Sequence, residues 1–310
     1  MTNALTVATR PGKLAIAQTE IVTAALKKIH PDIEINIKTI TTKGDKDRQT
    51  ALWKLKDSGF FTSQVEDALL AGKADFAVHS FKDLPTHQCE GLTIAAVCER
   101  QFPEDCLLAA DSVSSIDQLS QAAKIGTSSM RRIAQIRHLR PDLQPADIRG
   151  NVTTRIRKFR QGKFDAIILA RAGIERLGLS GKISFSFDPK QFIPAPAQGA
   201  LAVQTRVDDT VVSELIAAID DEKARMITFA ERRVLSAMQC GCHAPAGAFA
   251  EIIGNDIMIC AFISDLQGQN FIRRDMTSPA DNADKLTEKI ADDLLTAGGN
   301  KILKALTRTS

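Results

Sequence analysis

Two stretches of the chain open alike: GKADFAVHS at 72–80 and GKFDAIILA at 162–170. In each, Gly-Lys, one variable residue and Asp lead into an apolar run of the length expected for a buried strand. The surroundings repeat the order. LTVAT (5–9) reads as a short buried strand and KLAIAQTEIVTAALKKI (13–29) follows at helical spacing. HPD (30–32) stops that helix, because proline disfavours helix in the residue before it. IEINIKTI (33–40) alternates as a strand, and SQVEDALLAG (63–72) is a helix. Further on, KIGT (124–127) is a strand, SSMRRIAQIRHL (128–139) a helix, and RPD (140–142) a stop that mirrors HPD. The repetition predicts two similar α/β domains.

Working outward, QFPEDC (101–106) reads as a first crossing between these domains, and the stiff, Pro-rich DPKQFIPAPAQGAL (188–201) as the return. Two crossings predict hinged lobes around a cleft, where such folds bind ligands. The mixed-charge segment 44–61 lacks periodicity and reads as a loop. After about Asp221 come a helix, KARMITFAERRVLSAM (223–238), two strands, GAFAEIIG (247–254) and DIMICAFIS (256–264), and a helix near 282–297. The expected division is therefore an α/β domain of 1–100 with 200–218, an α/β domain of 101–199, and a small α+β domain of 219–310. A length of 310 residues suits two or three cores.

MTNALTVATR gives no apolar run before Arg10, and no stretch approaches the ~20 apolar residues of a membrane span. The six cysteines are irregularly spaced, as in reduced proteins. A cytoplasmic protein with no membrane partner is expected. Net charge is only +3, but between Gly126 and Arg176 there are ten arginines, two lysines and four acids. A solvated basic face is served equally well by lysine, whereas arginine grips carboxylate or phosphate through two parallel hydrogen bonds. With no tyrosine and one tryptophan, stacking platforms for nucleic acid are scarce. Small acidic ligands fit better.

IGTSSMRR (125–132) puts Thr127, Ser128 and Ser129 at a strand-to-helix junction, with Arg131 and Arg132 in the first turn. Backbone N–H groups and the dipole there favour an anion, and two arginines at that end imply one that offsets their cost. The ordinary alternative is a serine cap with surface arginines. RGNVTTR (149–155) and Arg176 add guanidinium groups at similar junctions. VHSFKDLP (78–85) places Lys82 and Asp83 after a buried strand, where Asp83 suits general acid/base work or stabilisation of a cation. His79 reads as a hydrogen-bonded residue near the core. In QCGCHAPAGAF (239–249), a zinc site lacks a second close ligand pair, and a Cys240–Cys242 disulfide would be strained. That leaves a thiol on a tight turn as a nucleophile.

ADFAVHSFKDLP, IGTSSMRR, IRGNVTTR, FDAIILARAGIERLGL, PAPAQGAL and ERRVLSAMQCGCHAPAG, in this order, closely resemble the hydroxymethylbilane synthase (porphobilinogen deaminase) family over essentially the whole chain. The resemblance implies two periplasmic-binding-protein-like α/β domains plus a small C-terminal α+β domain. It implies a transferase that joins four porphobilinogen molecules on a covalent dipyrromethane cofactor, held as a thioether by Cys242, in a monomer using neither metal nor nucleic acid. It assigns catalysis to Asp83. Cofactor contacts fall to Lys82, Asp83, Thr127, Ser128, Ser129, Arg131, Arg132, Gly150 and Asn151. Substrate contacts fall to Arg10, Ser129, Arg149, Arg155, Arg176 and Gln198, and Lys54 and Phe61 to a loop over the site. Gly12, Ser58, Cys240 and Ala244 depart from the family pattern. Lys13 compensates electrostatically for the hydroxyl that Gly12 lacks, Cys240 is a rival thiol, and Arg171 has no explanation at this level.

Overall fold

The computed structural model describes residues 4–42, 44, 62–110, 112–240 and 244–308. Its elements in chain order begin with β1 (Ala4–Thr9), α1 (Lys13–Ile29), β2 (Glu34–Thr39), α2 (Ser63–Leu70), β3 (Phe76–Ser80) and β4 (Leu92–Val97). Next come β5 (Asp105–Leu108), β6 (Lys124–Gly126), α3 (Met130–Leu139), β7 (Gln144–Ala146), α4 (Val152–Arg160), β8 (Ala166–Ala170), α5 (Arg171–Glu175) and β9 (Phe185–Ser186). The remainder is β10 (Leu201–Arg206), α6 (Thr210–Ala217), α7 (Glu222–Ala237), β11 (Ala246–Ile253), β12 (Asp256–Ser264), β13 (Phe271–Pro279), α8 (Ala283–Leu294) and α9 (Asn300–Arg308).

The chain divides into two units: described residues to 101 with 199–226, and 102–198 with 227–308. The first holds a sheet of order β2-β1-β3-β10-β4. Its strands β2, β1 and β3 are parallel, while β10 runs antiparallel to β3 and β4. The second unit repeats this plan as β7-β6-β8-β5-β9, with β5 the antiparallel strand. It also holds an antiparallel three-stranded sheet, β11-β12-β13.

The repeated Gly-Lys-x-Asp has a physical cause in both units. α2 and α4 end identically, with Gly72 and Gly162 at φ +64° and +70°. Their N–H groups reach the carbonyls of Leu69 and Phe159, and the following lysines reach those of Ala68 and Lys158. This is the double bond of a Schellman stop, and a left-handed residue is its requirement. Asp75 then accepts from the Thr6 N–H at 2.6 Å and donates its own N–H to the Thr6 carbonyl. Asp165 does the same with Lys124, at 2.7 Å. Each aspartate therefore ties the central strand to the start of its parallel neighbour. The stops HPD and RPD match too: His30 and Arg140 bond back to Leu26 and Ile136, and Ile33 and Leu143 bond to them in turn.

The structure differs from the reading of the sequence at several points. QFPEDC is not all linker, because Asp105 and Cys106 already belong to buried β5. Strands β4, β7, β9 and β10 and helix α6 were not read from the sequence, nor were strand β13 and helix α9: β13 is half-buried from Phe271 to Arg274, alternates only beyond that and carries Arg273, Arg274 and Asp275, so it lacks an apolar signature. A kink at Leu295–Gly299, where Gly298 leaves helical geometry at φ +129°, joins α8 to α9. Segment 44–61 lies outside the described residues except for Gly44.

Substituting Gly72 or Gly162 with alanine should cost ~1–2 kcal/mol each from the left-handed backbone alone, because an added methyl meets nothing within 4 Å. Urea denaturation measures it, and unchanged midpoints would remove the Schellman account.

Candidate active site

Asp105 opens β5 opposite Ala170 of β8 and has no solvent exposure. Its Oδ2 accepts from Arg131 Nη2 at 2.8 Å, and its Oδ1 accepts from Arg132 Nη2 at 2.7 Å and from Gln198 Nε2 at 2.9 Å. Burial pushes this carboxyl up, but the two guanidinium groups outweigh it and hold it far below the usual carboxylate range. Arg131 also donates to the Ile193 carbonyl and Arg132 to that of Ile168. The anion that offsets two arginines in the first turn of α3 is thus, in part, an aspartate of the chain itself. Nothing in sequence spacing links position 105 to 131 and 132. The one available signal was an acid directly before the apolar run CLL.

One carboxylate does not satisfy two guanidinium groups. Arg132 keeps its Nε buried without a partner among the described residues, as does Arg149 with its Nε and Nη2. Arg155 is pushed down to about 10 by burial and then by the charges of Arg132 and Arg149, with Asp147 opposing. Arg132, Arg149 and Arg155 therefore form a cluster of mutually repelling cations, and the first two hold buried, unused donors. Such donors are costly unless a ligand's acceptors meet them.

The neighbouring residues sort by what they touch. The Ser128 hydroxyl donates to the Ile148 carbonyl at 2.7 Å and accepts from the Ile148 N–H, so it staples the α3 junction to the segment before Arg149. Buried Thr127 accepts from the Ser129 N–H through its hydroxyl. Ser129 is the N-cap of α3 and its side chain makes no cap bond. Gly150 stands at φ +109°, where a Cβ would lie 2.6 Å from Thr154 Cγ2. Asn151 caps α4 through Thr154 N–H. Arg155 Nε donates to the Gly150 carbonyl. Gly150 and Asn151 thus build the turn that carries Arg149 and Arg155. Arg176 ends α5, half-buried.

In the first unit, Lys82 and Asp83 sit in a short turn, Phe81–Asp83, directly after β3. Phe81 and Leu84 are buried on either side, and the Phe81 N–H bonds the Ala200 carbonyl. The turn is anchored at both ends while Asp83 faces solvent. Half-buried Arg10 follows β1. His79 is 6% exposed and lowered to about 4, chiefly by burial, with Arg10 adding to it. It is neutral at pH 7, as expected of a residue near the core. Gly12 caps α1 at φ −74°, and a Cβ there meets nothing within 4 Å.

Cys242, Lys54, Phe61 and Ser58 lie outside the described residues. The rival thiol is enclosed: Cys240 is 5% exposed, lies in the core with Val234, Leu235 and Ala246, and bonds the Leu235 carbonyl. Burial pushes Cys106 and Cys260 up to about 12. Arg171 now has a role. It bonds Glu104 at 2.8 Å and Glu175 at 2.9 Å, and covers the Phe102 ring at 4.6 Å, so it clamps the residues just before Asp105. Buried Glu231 also escaped the sequence reading; it accepts from the N–H groups of Ala197 and Ala250.

Residues 5–214 match the family profile "Porphobilinogen deaminase, dipyromethane cofactor binding domain", and 226–296 match "Porphobilinogen deaminase, C-terminal domain". The chain belongs to the porphobilinogen deaminase family. It is 42% identical to the porphobilinogen deaminase of Carboxydothermus hydrogenoformans over 97% of both chains. With that of Roseiflexus sp. RS-1 it shares 41%, over 98% of this chain and 99% of the relative. Among solved structures, the methionine binding protein MetQ is similar over 70% of this chain and 89% of its own, at 10% identity and a TM-score of 0.45. The guanidinium cluster lies inside the deaminase cofactor-binding profile, and its unpaired donors suit a cofactor bearing carboxylates.

Asp105→Ala strands two buried guanidinium groups and should cost about 3–5 kcal/mol. Because the carboxyl is held low, its stabilisation is complete above about pH 4 and is lost as pH falls through the folded value. Thermal melts of wild type and variant should therefore differ at neutral pH and converge on acidification. A pH-independent gap would contradict the ion-pair assignment.

Proposed function

We propose that this chain is a hydroxymethylbilane synthase. It condenses four porphobilinogen molecules head to tail, with loss of ammonia, and releases linear hydroxymethylbilane by hydrolysis, supplying tetrapyrrole and heme biosynthesis. The observation that carries this reading is the cluster of Arg132, Arg149 and Arg155: the first two keep buried N–H groups without acceptors among the described residues, and their charges bear on the third. Every porphobilinogen unit brings an acetate and a propionate, so substrate and growing chain are polycarboxylates. A guanidinium–carboxylate contact in such surroundings contributes about 1.5–3 kcal/mol.

The dipyrromethane cofactor, when bound, supplies the free pyrrole α-carbon from which the chain is extended. Arg131 and Arg132, with Lys82, Ser129 and the α3 N-terminus, hold its carboxylates. Arg10, Arg149, Arg155 and Arg176 take those of the incoming substrate. Asp83 assists departure of ammonia from the aminomethyl group and stabilises the positive charge that develops on the pyrrole. Its anchored turn fixes the backbone while leaving the carboxylate accessible, as a group that meets successive substrates requires. Ser128, Gly150, Asn151 and Gln198 act on this framework through the bonds described above.

Cys242 carries the cofactor by thioether. Support comes from Cys240, whose burial in the core withholds it from reaction. The working division is 1–100 with 200–218, 101–199 and 219–310, the last bearing the cofactor. The enzyme acts as a cytoplasmic monomer. No described helix is long and apolar enough to cross a membrane.

The intact mass of the purified protein should exceed the sequence mass by two pyrrole units. Cys242→Ser should abolish the adduct and Cys240→Ser should keep it; the reverse would reassign the attachment. Asp83→Asn should retain fold and adduct yet slow porphobilinogen consumption by roughly 10²–10⁴-fold. Near-normal turnover would remove Asp83 from its role.

A further inference from the structure

Helix α3 carries Arg131 and Arg132 at its N-terminal end, and the opposite end is gripped by a part of the chain remote in sequence. The turn between β12 and β13, residues 265–270, is folded on Asp265, whose carboxylate accepts from the N–H groups of Gln269 and Asn270 and from Asn270 Nδ2. Burial pushes that carboxyl up, yet these donors outweigh it and hold it low. The folded turn presents two carbonyls to α3. Arg137 Nη1 donates to that of Leu266 at 2.7 Å, and His138 Nδ1–H donates to that of Gly268 at 3.1 Å. The His138 ring stacks on Phe271 at 4.1 Å, and Phe271 on Phe262 at 4.7 Å.

Gly268 permits the approach. It lies at φ +72°, and a Cβ would fall 2.6 Å from His138 N and 2.7 Å from the Ala134 carbonyl oxygen. These are backbone atoms of a helix and have no room to yield. The same three-stranded sheet meets the other end of α3. A Cβ on Gly247 of β11 would lie 3.1 Å from Arg131 Cδ and 2.8 Å from the Pro194 carbonyl oxygen. The ten-residue helix is about 15 Å long and stiff. It is seated on the sheet of β11, β12 and β13 at both ends, and β11 begins four residues after Cys242.

We propose that the 265–270 turn is a latch that fixes α3 against this sheet, making Arg137, His138 and Gly268 positioning residues for the condensation, acting through Arg131 and Arg132. This rests on the synthase reading above. The latch holds the guanidinium groups that grip the cofactor's carboxylates in register with the sheet that continues from its cysteine. The substrate arginines are not among its residues. Loosening it misplaces the reacting partners more than it weakens substrate capture, because most substrate arginines sit on other elements, so kcat suffers far more than KM.

The test uses holoenzyme. Gly268→Ala should lower kcat about tenfold or more with KM within about twofold. Arg137→Ala, which removes only the bond from a half-buried side chain to the Leu266 carbonyl, should act in the same direction. His138→Asn, which keeps a donor for the Gly268 carbonyl, should retain more kcat than His138→Ala. A wild type carrying the two-pyrrole adduct, with variants that lose only melting temperature and keep kcat, overturns the latch. A wild type without adduct or turnover overturns the synthase reading and the latch with it.

Discussion

Asp105 accepts three side-chain hydrogen bonds in a place that water does not reach. An isolated carboxylate there would be costly. Two guanidinium groups make it affordable in the ionised form and are themselves fixed by the exchange. The pair count is uneven, two cations to one anion, and this imbalance is what the proposed binding site rests on. Arg131 is spent on Asp105 and Ile193, while Arg132 reaches Asp105 and Ile168 with its Nη atoms and leaves Nε over. Arg149 and Arg155 then crowd positive charge around the surplus donor. The fold supplies the rigidity, and the donors left without acceptors among the described residues suit a carboxylate ligand.

Several devices converge on keeping Asp105 in place. Gln198 ties its Oδ1 to the Pro103 carbonyl, linking both crossings of the chain within one unit. Arg171 pins Glu104, one residue away, and packs on Phe102, which holds a left-handed φ of 53°. Such a backbone persists in a bulky residue only where its surroundings enforce it. Ala197 is similar, at φ 60°, with its N–H on buried Glu231. Glu231 also holds Ala250 of β11, so the return crossing and the three-stranded sheet share one carboxylate. Buried acids thus fix the N-terminal end of the arginine helix to β5 and tie the return crossing to β11.

What the sequence made legible was local. The Gly-Lys-x-Asp echo could be read because glycine is needed at a left-handed helix stop and aspartate meets a backbone N–H of the adjacent strand. Both requirements act within one unit and recur in the other. HPD and RPD worked for the same reason. Family motifs marked the arginines and Asp83, but their text does not distinguish Arg132, which keeps an unpaired donor, from Ser128, which is consumed by Ile148. Asp105, Glu231 and Arg171 were missed or unexplained because a defining partner of each, Arg131, Ala197 and Glu104, lies 26, 34 and 67 residues away. β13 was missed because a polar edge strand leaves no apolar alternation. The departure at Gly12 also has a plain outcome: the position is an open helix cap with room for a larger residue.

The central claim is that a guanidinium cluster organised by Asp105 accommodates a polycarboxylate that lengthens one pyrrole at a time while attached to the protein. Mass spectrometry of the intact holoenzyme, quenched soon after mixing with limiting porphobilinogen, tests it most directly. The account predicts a ladder of covalent species rising from the two-pyrrole form by single monomer units, with none beyond four additions. A protein whose mass never changes in the presence of porphobilinogen would contradict it.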